Sequence, residues 1–125
     1  MSASERQGRV LRIGAGASYA GDRVEPATEL AKHAQLDYLV YETLAERTIA
    51  LAQLERLKNP DGGYNELLAD RFYGALPYCR QQGTRIVTNM GAANPRGAAK
   101  RTHRERVGAR CAPEPEVDAP GKHRL

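Results

Sequence analysis

The sequence predicts an α/β fold: a partial parallel sheet in the order β-α-β-α-α-β, with helices packed on it and a disordered tail after it. Three observations carry this. Short apolar runs at Val10–Ile13, Asp37–Tyr41 and Thr84–Thr88 alternate with stretches of helical spacing. Such alternation points to parallel strands covered by helices. The apolar content then stops early. The last aromatic residue is Tyr78, and after Val87 the only aliphatic side chains larger than alanine are Met90, Val107, Val117 and Leu125.

Each element has its own signal. Val10-Leu11-Arg12-Ile13 reads as a strand that ends at Gly14. Residues Gly14 to Arg23 follow as a loop of small residues, whose glycines accept conformations closed to other side chains. Pro26 suits the first turn of a helix, and Ala27, Leu30, Ala31 and Ala34 give that helix an apolar side. Asp37 to Tyr41 is the second strand. Thr43-Leu44-Ala45-Glu46 matches a capping box, in which a threonine and a glutamate three residues on satisfy each other's backbone donors. Leu44, Leu51, Leu54 and Leu57 form a broad stripe on the helix that follows. Asn59-Pro60-Asp61-Gly62-Gly63 stops it. A third helix spans about Asn65 to Gln82, with Leu68, Phe72, Ala75, Leu76 and Cys79 on one face. Pro77 inside it removes a backbone bond and predicts a kink or break near Tyr73. Gly83 is its C-terminal cap, and Thr84–Thr88 is the third strand.

Domain organisation follows from charge. The chain has 125 residues and a net charge of +4. Residues 1–95 are neutral, so the last thirty residues carry the whole excess. We expect a disordered N-terminus at 1–8, an incomplete α/β domain at 9–98 and a disordered basic tail at 99–125. A basic pI ordinarily points to nucleic acid or an anionic surface. Here the excess lies outside the folded part, and no aromatic residue in the tail is placed to stack on bases. Nucleic acid is therefore disfavoured as a partner. No apolar segment has the length of a signal peptide core or a membrane span. Cys79 and Cys111 have no metal-ligand spacing with each other or with His33, His103 or His123. The expectation is a reducing, cytoplasmic setting without a disulfide, with no metal site and no cofactor identified.

Ligands of open parallel sheets bind beyond the carboxyl ends of the strands. The Gly14–Arg23 loop, Glu42 and Asn89–Pro95 project there, and they converge if the strands are neighbours. The first loop matches a dinucleotide fingerprint poorly, since Gly14 and Gly16 precede Ser18-Tyr19 and the helix begins late. Ser18 lacks the Gly-x-Ser-x-Gly elbow of a serine hydrolase. Asp22-Arg23 reads equally as a local ion pair or a catalytic pair, and Glu42 as an acid beside a helix N-terminus. Asn89 and Asn94 suit either turn capping or amide contacts to a carbonyl or carboxylate ligand. His33 reads as a surface residue, and Tyr38 and Tyr41 as packing groups. Three parallel strands also leave a sheet short of neighbours, so the missing cover must come from other sequence.

Three stretches together resemble the N-terminal domain of the acyclic terpene utilisation (AtuA) family: Ile13 to Arg23, Leu36 to Thr48 and Arg85 to Pro95. The resemblance implies a role in bacterial breakdown of acyclic terpenes such as citronellol and geraniol, with the chain as an N-terminal fragment of a longer parent. On that reading the ligand is a small organic acid or an acyl-CoA. Glu42 and Asp22 are the acid/base candidates; Gly14, Gly16, Ser18, Gly21, Arg23, Asn89, Gly91 and Asn94 are the binding candidates. The likeness fades after Gly97 or Ala98, where Arg, Ala, Pro, Gly and His dominate. That composition is what GC-rich DNA yields in a wrong reading frame. The competing expectation is a small non-enzymatic nucleotide-binding or scaffold protein with a basic tail.

Overall fold

The computed structural model describes residues 8–108. It has strands β1 (Ile13–Ala17), β2 (Tyr38–Tyr41) and β3 (Arg85–Thr88), and helices α1 (Glu25–His33), α2 (Glu46–Lys58), α3 (Leu68–Gln82) and α4 (Pro95–Gly108). All pairing is parallel, in the order β1-β2-β3. The expected α/β architecture is therefore present. The register aligns Gly14, Leu39 and Ile86 in one row and Ala15, Val40 and Val87 in the next.

Alternation along the strands gives the sheet two unlike faces. Gly14, Gly16, Leu39, Tyr41 and Ile86 belong to the covered face. Leu39 and Tyr41 are almost fully buried there, in one cluster with Ala27 and Ala31 of α1 and Phe72, Ala75 and Cys79 of α3. Helices α1 and α3 pack on each other, and α4 packs on α3. Ile13, Ala15, Tyr38, Val40 and Val87 belong to the other face. Ile13 is 63% exposed, and no described element covers this row.

Three expectations need correction. First, β1 begins at Ile13, not Val10, so Gly14–Ala17 is strand and not loop. The reason is steric. A Cβ on Gly14 would lie 2.5 Å from Leu36 Cδ1, and one on Gly16 would lie 2.8 Å from the Tyr41 ring. These glycines let helix and strand approach closely; they do not form a turn. Second, the capping box is shifted. The N-cap of α2 is Ala45, whose N–H donates to Thr48 Oγ1 at 2.6 Å, while the Thr48 hydroxyl donates to Ala45 O at 2.9 Å. Thr43 is buried and bonded elsewhere. Third, the domain does not end at Ala98. Helix α4 continues to Gly108, with Ala98 and Thr102 buried one turn apart. Thr102 Oγ1 donates to Ala98 O at 2.9 Å. That stripe of small residues is too narrow to register as apolar periodicity. Residues 99–108 thus leave the expected tail. The expectations for 1–7 and for 109–125, including Cys111, lie outside the described residues.

Smaller points follow the chain. Helix α3 runs unbroken through Pro77. Gly83 closes it in the left-handed conformation at φ 73°, as a C-terminal cap does. The α2 stripe is bare: Leu54 is 54% and Leu57 83% exposed. No residue of α2 is buried. Among the described residues no helix is long and apolar enough to cross a membrane.

Candidate functional site

Strand register builds the site. β1, β2 and β3 end side by side at Ala17, Tyr41 and Thr88. Ser18, Glu42 and Asn89 are therefore the first residues beyond three adjacent strand ends, and the expected convergence follows. Asn89 links two of the strands. Its Oδ1 accepts from Thr43 N at 2.9 Å and from Thr43 Oγ1 at 3.3 Å. Its Nδ2 donates to Glu42 Oε1 at 2.7 Å. The same Glu42 oxygen accepts from Leu44 N at 2.8 Å.

These bonds favour the ionised carboxylate. The Asn89 amide, then the Leu44 N–H, hold Glu42 below the ordinary glutamate value, against a small opposing effect of burial. A lowered carboxyl pKa stabilises the fold above the unfolded value of about 4.3, and that contribution is lost as pH falls through the folded pKa. Asn89→Ala is expected to return the Glu42 titration toward its ordinary value and to release the Thr43 amide. Carbon-detected NMR of the carboxyl group checks this; an unchanged midpoint would show that Asn89 does not set the Glu42 charge.

Asp22 is the second fixed anion. Its carboxylate accepts from Ser18 N at 2.9 Å and from Arg23 N at 2.8 Å, and these two bonds lower its pKa, Ser18 first. The Arg23 guanidinium does not pair with Asp22 but lies 3.7 Å from Glu25, with both side chains exposed. Such a pair contributes little. Asp22 thus closes a turn. A general base works best with a pKa near the working pH. Both acid/base candidates are held below it.

The remaining candidates separate clearly. Gly14 and Gly16 face the core. Gly91 allows a tight turn, since a Cβ there would meet Pro95 Cα at 2.8 Å. Asn94 is buried and donates to Pro60 O and Gly62 O at 3.0 and 2.9 Å while accepting from Gly97 N at 3.0 Å. It caps α4 and anchors the 60–62 turn. Gly21 has open space around it, with only Tyr19 within 4 Å of an added Cβ, and Ser18 is exposed.

Gly21 borders a cavity of about 320 Å³, widely open to solvent, between the first loop, α2 and the 64–67 turn. Its walls are mostly apolar: Ala20, Leu44, Leu51, Ala52, Leu67 and Ala92. The volume lies at the lower end of the roughly 300–1,000 Å³ typical of small-molecule sites. Of the polar lining residues, Thr43, Thr48 and Asn65 already hydrogen-bond within the protein. Among the described residues the Tyr64 hydroxyl and the Glu55 and Glu66 carboxylates have no such partner. Ala92 takes a left-handed conformation at φ 47°, uncommon for a residue with a Cβ, and it lines the same cavity.

Sequence reading missed two residues here. Tyr64 follows a glycine pair and carried no motif. Arg71 is fully buried on α3, although its spacing placed it on no apolar face. Its guanidinium reaches the first loop, donating to Ala20 O at 3.2 Å and Asp22 O at 2.9 Å.

No curated protein and no solved structure matches the chain. The model of the family described as acyclic terpene utilisation family protein AtuA matches residues 11–110, beyond the Ala98 limit read from sequence. The matched span includes every strand, the cavity and nearly all of the described fold, and on that ground the chain belongs to the acyclic terpene utilisation family AtuA.

Proposed function

We propose that the cavity binds the acyl chain of a small acyclic terpenoid, presented as a thioester whose carbonyl group is uncharged, in the cytoplasmic breakdown of such compounds. The observation that carries this reading is the lining of the cavity. Apolar walls from Leu44, Leu51, Ala52 and Leu67 suit a branched hydrocarbon chain, and Tyr64 supplies an uncommitted hydroxyl for a carbonyl oxygen. Glu55 and Glu66 border the same space, and Glu42 and Asp22 stay ionised at the strand ends. A free carboxylate would meet like charge there, so the thioester is favoured over the acid. The lowered pKa values of Glu42 and Asp22 argue for holding the site together and against proton transfer near neutral pH.

The nucleotide-binding alternative has less support. Its glycines, Gly14 and Gly16, lie under Leu36 and Tyr41, and residues 18–24 separate β1 from the first turn of α1. The bare sheet face belongs to the proposal as well: further AtuA-type sequence would lay helices across Ile13, Val40 and Val87, as parallel sheets require.

The test is titration of the 125-residue chain with the short-chain thioester of citronellic acid and with the free acid, followed by NMR. The thioester is expected to bind at least about tenfold more tightly, a difference of 1.4 kcal/mol, and Leu51→Arg should abolish binding. Preference for the free acid, or binding unaffected by Leu51→Arg, would overturn the assignment.

A further inference from the structure

We infer that Arg71 is the positioning residue of this cavity: one buried guanidinium joins the three segments around it and sets the conformation of the first loop. The inference rests on the cavity being the ligand site.

The geometry is specific. Arg71 is 0% exposed. Its Nη2 donates to Ala20 O at 3.2 Å and Asp22 O at 2.9 Å, two carbonyls of the first loop. Its Nη1 donates to Asn65 Oδ1 at 3.2 Å and lies 3.5 Å from Met90 Sδ. Asn65 Nδ2 returns to Ala20 O at 3.1 Å, and Asn65 N donates to Met90 O at 2.8 Å. The loop after β1, the turn before α3 and the loop after β3 therefore meet at one side chain. Ala20, Gly21 and Asn65 line the cavity directly.

A structural salt bridge does not account for the arrangement. No carboxylate lies within ion-pair distance of Arg71 among the described residues, so the buried cation is solvated by two backbone carbonyls and the Asn65 amide oxygen, while its Nε has no hydrogen-bond partner among them. Burial correspondingly lowers its pKa, opposed by Tyr41 and Asp22, yet an arginine remains charged. The guanidinium carbon lies 6.0 Å from the Tyr41 ring centroid, at the outer limit of about 6 Å for cation–π attraction. Burying a cation is unfavourable unless its bonds are satisfied. Here the bonds go chiefly to a loop that has few other ties. Asp22 closes that loop locally, and among the described residues only hydrogen bonds of Arg71 and Asn65 fasten it to α3 and the turn before it. A lysine would carry the charge without the planar fork that spans Ala20 O, Asp22 O and Asn65 Oδ1 at once.

The experiment compares the wild-type chain, Arg71→Lys and Asn65→Ala by amide NMR, with and without the short-chain thioester. In Arg71→Lys the amide resonances of residues 19–23 are expected to shift or broaden selectively while those of β2 and α1 stay in place. Thioester affinity should fall about tenfold, the scale of one charge-assisted hydrogen bond. Asn65→Ala removes the second tie and should perturb the same residues more weakly, which keeps the test valid if Arg71→Lys does not fold. Unchanged loop resonances, or changes spread evenly over the sheet, would overturn the positioning role. Failure of the wild-type chain to bind thioester would count against the ligand assignment alone, because the loop readout needs no ligand.

Discussion

Leu39→Ala is expected to lower stability by about 2–5 kcal/mol, the range for emptying a buried leucine site. Leu39 is 0% exposed in the central strand, between Gly14 and Ile86. Its side chain meets the α1 and α3 face, where the neighbours are small or already packed: Ala27 and Ala31 cannot extend into the space left behind. A domain of this kind has roughly 5–15 kcal/mol in total. A sheet buried on one face collects less apolar burial than one buried on both, so the loss is a large share. Val40→Ala gives the contrast. Val40 lies one residue on and on the opposite face, partly exposed, and truncation to alanine there should cost less than about 1 kcal/mol. Urea unfolding followed by far-UV circular dichroism measures both. Equal losses would mean that the second face is covered in solution. Repeating the melt at higher protein concentration would then show whether a second copy covers it.

The order of strands and helices along the chain was legible because apolar runs and their spacing report it; the convergence of the three segments was legible only on the condition that the strands are neighbours, which the register supplies. What was not legible has three physical causes. Gly14 and Gly16 look like loop residues in sequence, since glycine is permissive; only the positions of Leu36 and Tyr41 show that the missing Cβ serves close packing. The leucine stripe of α2 predicts burial, but periodicity cannot say what lies opposite. Here Leu51 borders the cavity and is still 50% exposed, Leu54 and Leu57 are 54% and 83% exposed, and Leu44 precedes the helix. Helix α4 hides in a basic segment because its packed side uses alanine and threonine, leaving arginine and lysine to dominate the composition. The charge excess that first marked residues 96–125 as foreign to the fold therefore spans part of a packed helix.

Within the site the same divide separates Glu42 and Asn89 from Asn94. All three suit a ligand by residue type, and only the hydrogen bonds distinguish them. Asn89 orients an exposed carboxylate at the strand ends. Asn94 spends its amide on Pro60 O, Gly62 O and Gly97 N.

Asn94→Ala should therefore act on stability and leave ligand affinity alone. The substitution removes the N-cap of α4, which is worth about 0.5–2 kcal/mol. It also strips two carbonyls of their donor. The one on Gly62 lies in a buried bond, and an acceptor left unpaired in the interior loses roughly 1–3 kcal/mol. The combined loss is about 2–4 kcal/mol, since water can reach the Pro60 side of the site. Asn94→Asp separates the two contributions. It keeps the acceptor for Gly97 N and places a negative charge at the helix N-terminus, where it is favourable by about 0.3–1 kcal/mol. It loses both donated bonds and sets a carboxylate against two carbonyl oxygens. If the turn anchor dominates, Asn94→Asp will be as unstable as Asn94→Ala; if the cap dominates, it will recover most of the loss. Thermal melts rank the three proteins, and thioester titration well below the melting range isolates binding. An Asn94→Ala chain of normal stability that no longer binds thioester would return Asn94 to the ligand residues and place the carbonyl site on the α4 side of the strand ends, away from Tyr64.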